Sequence, residues 1–199
     1  MVFDKKNEDA PMTTSPTSAT DPLKTVYAAQ APDTVAAAYD AWAEHYDADM
    51  AKVGYRHPAI ATALLARHVP KGAGPLLDAG AGTGLIGEWL AILGYPVADA
   101  LDLSEGMLAV AARKGVYRRL IRAALGTPLP FETDAYAAVI STGVFTSGHV
   151  GAEGLDELIR ITRPGGMIVL TVKMAVWDAG FASRLTELES AGLIVMVDG

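Results

Sequence analysis

From Val35 onward the apolar positions Val35, Tyr39, Trp42 and Tyr46 recur at helical spacing and form one stripe. A second helix is expected from Pro58 to about His68, where Pro70, Gly72 and Gly74 end the pattern. Beyond Pro75, short apolar runs alternate with helical stripes, which predicts a parallel sheet wound with helices. The runs are Pro75 to Ala79, Pro96 to Leu103, a weak one near Leu120 to Ala124, Ala137 to Thr142, Met167 to Val172, and Leu193 to Val197. The stripes between them are Leu85, Trp89, Leu90 and Leu93, closed by Gly94; Leu155, Leu158 and Ile159, closed before Pro164-Gly165-Gly166; and Phe181, Leu185 and Leu188, closed by Gly192. The fold class is therefore α/β, a doubly wound, mostly parallel sheet with helices on both faces. Residues 1–33 lack periodicity and carry Pro11, Pro16, Pro22 and Pro32 among small polar residues, so they are expected to form a disordered arm. Residues 34–199 are expected to form one domain, with helices at 34–70 and the sheet core at 75–199.

Composition narrows the function. The 199 residues are 51% hydrophobic and 20% charged, enough apolar content for a buried core. A net charge of −7 argues against a partner bound by counterion release, so no nucleic acid is expected. Arg113, Lys114, Arg118, Arg119 and Arg122 crowd one stretch and are read as a solvated face. The absence of cysteine removes disulfides, thiolate metal sites and a thiol nucleophile. No carboxylate set or histidine pair has metal-ligand spacing, so no metal is expected. No stretch has the length and apolarity of a membrane span, and Met1 to Ala10 is charged where a leader would be apolar, so a cytoplasmic protein is expected.

The candidate chemistry lies in Leu77-Asp78-Ala79-Gly80-Ala81-Gly82-Thr83-Gly84, between the first strand and its helix. Glycines allow a tight turn and close approach of the backbone to a ligand, and the helix start offers free N–H groups. Asp102, at the end of the second strand, is placed to accept from both hydroxyls of a ribose. Together they describe an adenosine-type ligand. A nicotinamide dinucleotide competes, but the third glycine of its loop would fall at Leu85, and Asp78 at the mouth of the turn would repel a pyrophosphate while suiting an ammonium.

These residues resemble the class I S-adenosylmethionine-dependent methyltransferases. The resemblance runs from about Val35 to Val197 on Asp78 to Gly84, Asp102-Leu103-Ser104 followed by Met107-Leu108, Leu129-Pro130-Phe131, and Arg163-Pro164-Gly165-Gly166. More narrowly, Gly115-Val116-Tyr117, Gly148-His149-Val150 and Leu155-Asp156-Glu157-Leu158 resemble the methyltransferase-like group that includes the Williams-Beuren critical-region methyltransferase. The resemblance implies S-adenosyl-L-methionine as cofactor, with the backbone of Gly80, Ala81, Gly82 and Gly84 along its methionine end and Asp78 answering its ammonium. Asp102 would hold the ribose, Leu103 and Met107 would flank the adenine, and Tyr46 would reach the cofactor from a lid helix. His149, in the loop after the fourth strand, is the candidate catalytic base beside the transferred methyl.

Three departures accompany the resemblance. The position beside Leu125 that should carry an acid for the adenine amino group is Ala124, and the fourth strand opens with Tyr136-Ala137, an aromatic followed by Ala137 where an Asp is usual. The sheet's closing antiparallel hairpin is incomplete, so self-association through a C-terminal edge strand is expected. The implied reaction is in-line methyl transfer to a small-molecule substrate; the alternative is a non-catalytic S-adenosylmethionine-binding module, a sensor or a subunit.

Overall fold

A computed structural model describes residues 22–29 and 31–197. Five strands form one all-parallel sheet: β1 (Leu76–Ala79), β2 (Ala98–Asp102), β3 (Tyr117–Arg122), β4 (Tyr136–Phe145) and β5 (Thr162–Val172), in the spatial order β3-β2-β1-β4-β5. The helices are α1 (Pro22–Ala28), α2 (Pro32–Lys52), α3 (His57–His68), α4 (Leu85–Ile92), α5 (Glu105–Lys114), α6 (Gly154–Ile161), the single turn α7 (Met174–Val176) and α8 (Ala182–Ser190), with a kink at Gly180 in Trp177–Phe181 before α8.

Strand residues alternate between two apolar layers because successive side chains leave opposite faces of a sheet. Leu77, Leu101, Val139 and Phe145 pack with Leu155, Leu158, Phe181 and Leu185 beneath α6 and α8. Leu76, Ala98, Ala138 and Ile140 pack with Leu65, Ile86 and Leu90 beneath α3 and α4. Covered on both faces, β1 is wholly buried, with Asp78 the one polar residue in it. Strand order reverses between β1 and β4, and the crevice over the carboxyl ends at that reversal is where open α/β sheets take their ligands.

Four expectations are corrected. Order does not begin at Thr34: α1 stands at Pro22–Ala28 because Val26 is fully buried, and α2 starts at Pro32, where Thr34 Oγ1 accepts from the Ala31 N–H. Residues 1–21 of the expected arm lie outside the described residues. The third strand is Tyr117–Arg122, and Ala123 and Ala124 follow it. Arg163 to Gly166 lies inside β5, where a register shift against Tyr136 and Ala138 absorbs the irregular residues. Leu193 to Val197 forms no strand and stays exposed, except for half-buried Ile194, so the sheet edge on this side is β5. The expected C-terminal edge strand is thereby withdrawn.

The long helix α2 crosses α5 and is fastened to it by side chains. Asp40 Oδ1 accepts from Ser104 Oγ at 2.5 Å and from the Gly106 N–H at 2.8 Å, at the start of α5. Ser104 is also the N-cap, its hydroxyl accepting from the Met107 N–H. Asp47 accepts from Thr83 in the glycine turn and pairs with Lys114, which also meets Glu88. The crowded basic stretch is accordingly neutralised: Arg113 pairs with Glu44, Arg118 and Arg119 with buried Asp99, and Arg122 with Glu105. Burial alone would raise the Asp99 carboxyl, but hydrogen bonds from Arg118, Arg119 and Tyr136 hold it at about 2.

Candidate functional site

A cavity of about 200 Å³ opens over the carboxyl ends of β1, β2 and β4. It brings together nine of the residues singled out in the sequence: Tyr46, Gly80, Gly82, Asp102, Leu103, Met107, Ala124, Leu125 and His149. A smaller recess of about 30 Å³, sharing Tyr46, Gly80, Gly82 and Thr142 with it, runs along Ala81 and Thr83 to Tyr55. Asp78 and Gly84 line neither. They stand behind the turn, Gly84 as the left-handed N-cap of α4.

The glycines of the turn do different work. Gly80 has φ +82° and a Cβ there would lie 2.1 Å from Val144 Cγ2, so Gly80 is required by packing. Gly82 has φ +54° and its Cβ direction meets nothing within 4 Å, so its α-carbon faces open cavity. Such an opening lets a ligand approach the backbone closely.

Asp102 closes the turn from β2. Its Oδ2 accepts from the Gly82 N–H at 2.7 Å and its Oδ1 from the Ser104 N–H at 2.8 Å, which fixes the carboxylate at the cavity wall. Each oxygen retains a lone pair, so the group still has capacity for two ribose hydroxyls. Burial raises its carboxyl above the usual range, against the backbone hydrogen bonds that favour the ion.

Asp78 is completely buried. Its Oδ2 accepts from the Tyr117 hydroxyl at 2.5 Å, while its Oδ1 has no hydrogen-bond partner among the described residues. Burial pushes the carboxyl up to about 7. A half-satisfied buried carboxylate is costly by itself and is relieved by a cation or a donor brought to it.

The wall supplied by α2 carries Tyr39 and Tyr46 into the cavity, whereas Trp42 is buried in packing and donates from Nε1 to Asp49 at 3.0 Å. Tyr39 lies 5.8 Å from the ring of His149, and Tyr27 of α1 approaches the same ring edge-on at 6.0 Å. Sequence reasoning missed Tyr27, because a seven-residue helix shows no periodicity to read. Thr146 Oγ1 sits 2.7 Å from His149 Nδ1, and Nε2 is buried without a hydrogen-bond partner among the described residues. Burial holds the imidazole below its ordinary value, so it is neutral at pH 7.

A family model described as a methyltransferase domain matches residues 77–170, from β1 through most of β5. Methyltransferase-like protein 27 of Homo sapiens is 34% identical over 165 residues, 78% of this chain and 66% of that protein. This chain belongs to the class I S-adenosylmethionine-dependent methyltransferases. The cofactor of the family is S-adenosyl-L-methionine. A demethylmenaquinone methyltransferase of Clavibacter sepedonicus is 35% identical over 142 residues, 70% of this chain and 58% of that one. The chain thus spans about three fifths to two thirds of the length of these relatives. A solved structure of a putative S-adenosyl-L-methionine-dependent methyltransferase from Methanococcus maripaludis shares the fold, with a TM-score of 0.52 at 20% identity over 90% of this chain and 76% of that one. The residues present fit the family's cofactor on two counts: the open space before Gly82, and the buried Asp78 oxygen that has no partner.

Proposed function

We propose that the chain transfers a methyl group from S-adenosyl-L-methionine to an uncharged small-molecule acceptor by in-line displacement. The observation that carries this reading is the lining of the cavity. Among its described residues, Asp102 is the one acidic side chain, none is a lysine or an arginine, and the rest of the wall is apolar, aromatic or polar without a fixed charge. An adenosine-type ligand finds its ribose acceptor there, while a pyrophosphate or a polyanionic substrate finds no cation.

Asp102 would hold the ribose, Leu103 and Met107 the adenine, and the turn from Gly80 to Gly82 with Tyr46 the methionine end. Asp78 would answer the ammonium from behind the turn. When bound, the cofactor supplies an activated sulfonium methyl. The chain's own part is alignment and exclusion of water, for which α2 is fastened over the crevice by Asp40 and Asp47. His149 would take a proton from the acceptor at Nε2, since Nδ1 is engaged by Thr146 and the ring is neutral.

One observation favours the second reading, a module that binds the cofactor without turnover. Ala124 puts a methyl on the cavity wall where an acid would serve the adenine amino group. Labelled S-adenosylmethionine incubated with the protein and a cell extract separates the two, since turnover leaves label in a small product and binding leaves none. His149→Ala should lower that turnover by about 10² to 10⁴ while the affinity for S-adenosylhomocysteine stays within about twofold. Equal loss of both would make His149 structural.

A further inference from the structure

In the sequence Tyr117 is only the last residue of Gly115-Val116-Tyr117, and the fold gives it a place that this motif does not suggest. It opens β3, yet its side chain reaches beneath the glycine turn: a Cβ on Gly84 would lie 3.0 Å from its ring and one on Gly87 would lie 2.6 Å from it. Gly87 is in the first turn of α4, where a backbone N–H has no partner within the helix. The Tyr117 hydroxyl accepts from that N–H at 3.0 Å and donates its own hydrogen to Asp78 Oδ2 at 2.5 Å. The phenol thus joins the positive end of a helix to a buried carboxylate and engages one carboxylate oxygen. The other, Oδ1, is left without a partner.

We propose that Tyr117 is a positioning residue for cofactor recognition: by holding Asp78 from one side, its hydroxyl keeps that carboxylate oriented and ionisable as the counter-charge for the cofactor's ammonium group. The proposal rests on the assignment of Asp78 made above. The hydroxyl acts on the anion in two ways. It is a hydrogen-bond donor to the charged form, which favours ionisation, and it passes on the polarisation of the α4 amino terminus. Tyr117 itself stays protonated, because burial and the neighbouring Asp78 raise its own ionisation well out of range.

The groups that act electrostatically on this pair come from several elements. Asp102 of β2 opposes ionisation of Asp78; Tyr55, in the loop after α2, stays protonated; and Glu88 of α4 acts on Tyr117 while paired with Lys114. Burial sets the Asp78 carboxyl at about 7, so near neutrality an incoming ammonium must displace a proton from a sizeable fraction of molecules. Affinity for an ammonium-bearing ligand should therefore rise with pH. A ligand that shares the nucleoside but lacks the amino-acid half should show no such dependence.

The test is calorimetric titration with S-adenosylhomocysteine and with 5′-methylthioadenosine between pH 6 and pH 8.5, on the full chain and on Tyr117→Phe, which retains the ring against Gly84 and Gly87. For the wild type, the S-adenosylhomocysteine dissociation constant should fall roughly tenfold from pH 6 to pH 8, while that for 5′-methylthioadenosine stays level. Tyr117→Phe should weaken S-adenosylhomocysteine about tenfold at pH 7, displace its profile to higher pH, and leave 5′-methylthioadenosine unchanged. Asp78→Asn should remove both the preference for S-adenosylhomocysteine and its pH dependence, and adding Tyr117→Phe to it should change neither. Equal weakening of both ligands by Tyr117→Phe, or an unchanged profile, overturns the proposal. A wild type that shows no preference for S-adenosylhomocysteine and no pH dependence overturns the Asp78 assignment itself, and the proposal with it.

Discussion

Gly82→Asp is expected to leave the protein folded and without measurable affinity for S-adenosylhomocysteine. The backbone at Gly82 has φ +54°, a region that aspartate tolerates better than most side chains, and a Cβ there meets nothing within 4 Å. The strain should cost about 1 kcal/mol, a loss of only a few degrees in melting temperature. The new carboxylate would occupy the space in front of the turn and place a second negative charge beside Asp102, whose Oδ2 accepts from the Gly82 N–H. Volume and charge both oppose the ligand. Calorimetric titration should show no binding heat, and a melting curve should show a cooperative transition close to that of the wild type. Retained affinity would mean that the ligand does not pass in front of Gly82.

Asp102→Ala should produce the second large loss, and this one includes stability. The Gly82 and Ser104 N–H groups both donate to this carboxylate at the inner end of the cavity. Leaving them without an acceptor costs about 1 to 3 kcal/mol each where water cannot replace it. Binding loses the acceptor for the ribose as well, and hydrogen bonds to a charged group are worth about 1.5 to 3 kcal/mol, so affinity should fall at least a hundredfold. Asp102→Asn serves as the comparison. It preserves one acceptor oxygen, so it should recover part of the stability while recovering less of the affinity. Titration and melting measured on both variants separate the two roles.

What the sequence disclosed and what it withheld have physical reasons. The turn from Asp78 to Gly84 and Asp102 at the end of β2 were legible because local chemistry dictates them: positive φ demands glycine, and a strand-end carboxylate faces the crevice. The stripe Val35, Tyr39, Trp42 and Tyr46 was legible because twenty-one residues of helix display a period. The helix at Pro22–Ala28 was not, since it is held by tertiary contacts of a few residues, chiefly buried Val26 and Tyr27 against His149. The limits of β3 were misread because Tyr117–Arg122 is an edge strand dominated by arginines, whose partner Asp99 lies on the neighbouring strand. Leu193 to Val197 has the composition of a strand, but a strand also needs a neighbouring strand to pair with, and among the described residues none pairs with it. Tyr117 escaped notice because its partners, Asp78 and Gly87, are thirty or more residues away in the chain.

The cavity above β1, β2 and β4 is expected to take the adenosyl cofactor of the family and no dinucleotide. Titration calorimetry of the full chain with S-adenosylhomocysteine, and separately with NAD, tests it most directly. Saturable binding of S-adenosylhomocysteine at one site per chain is expected, with no comparable heat from NAD, because no lysine or arginine among the described residues lines the cavity to meet a pyrophosphate. Tight binding of NAD with none of S-adenosylhomocysteine would contradict it.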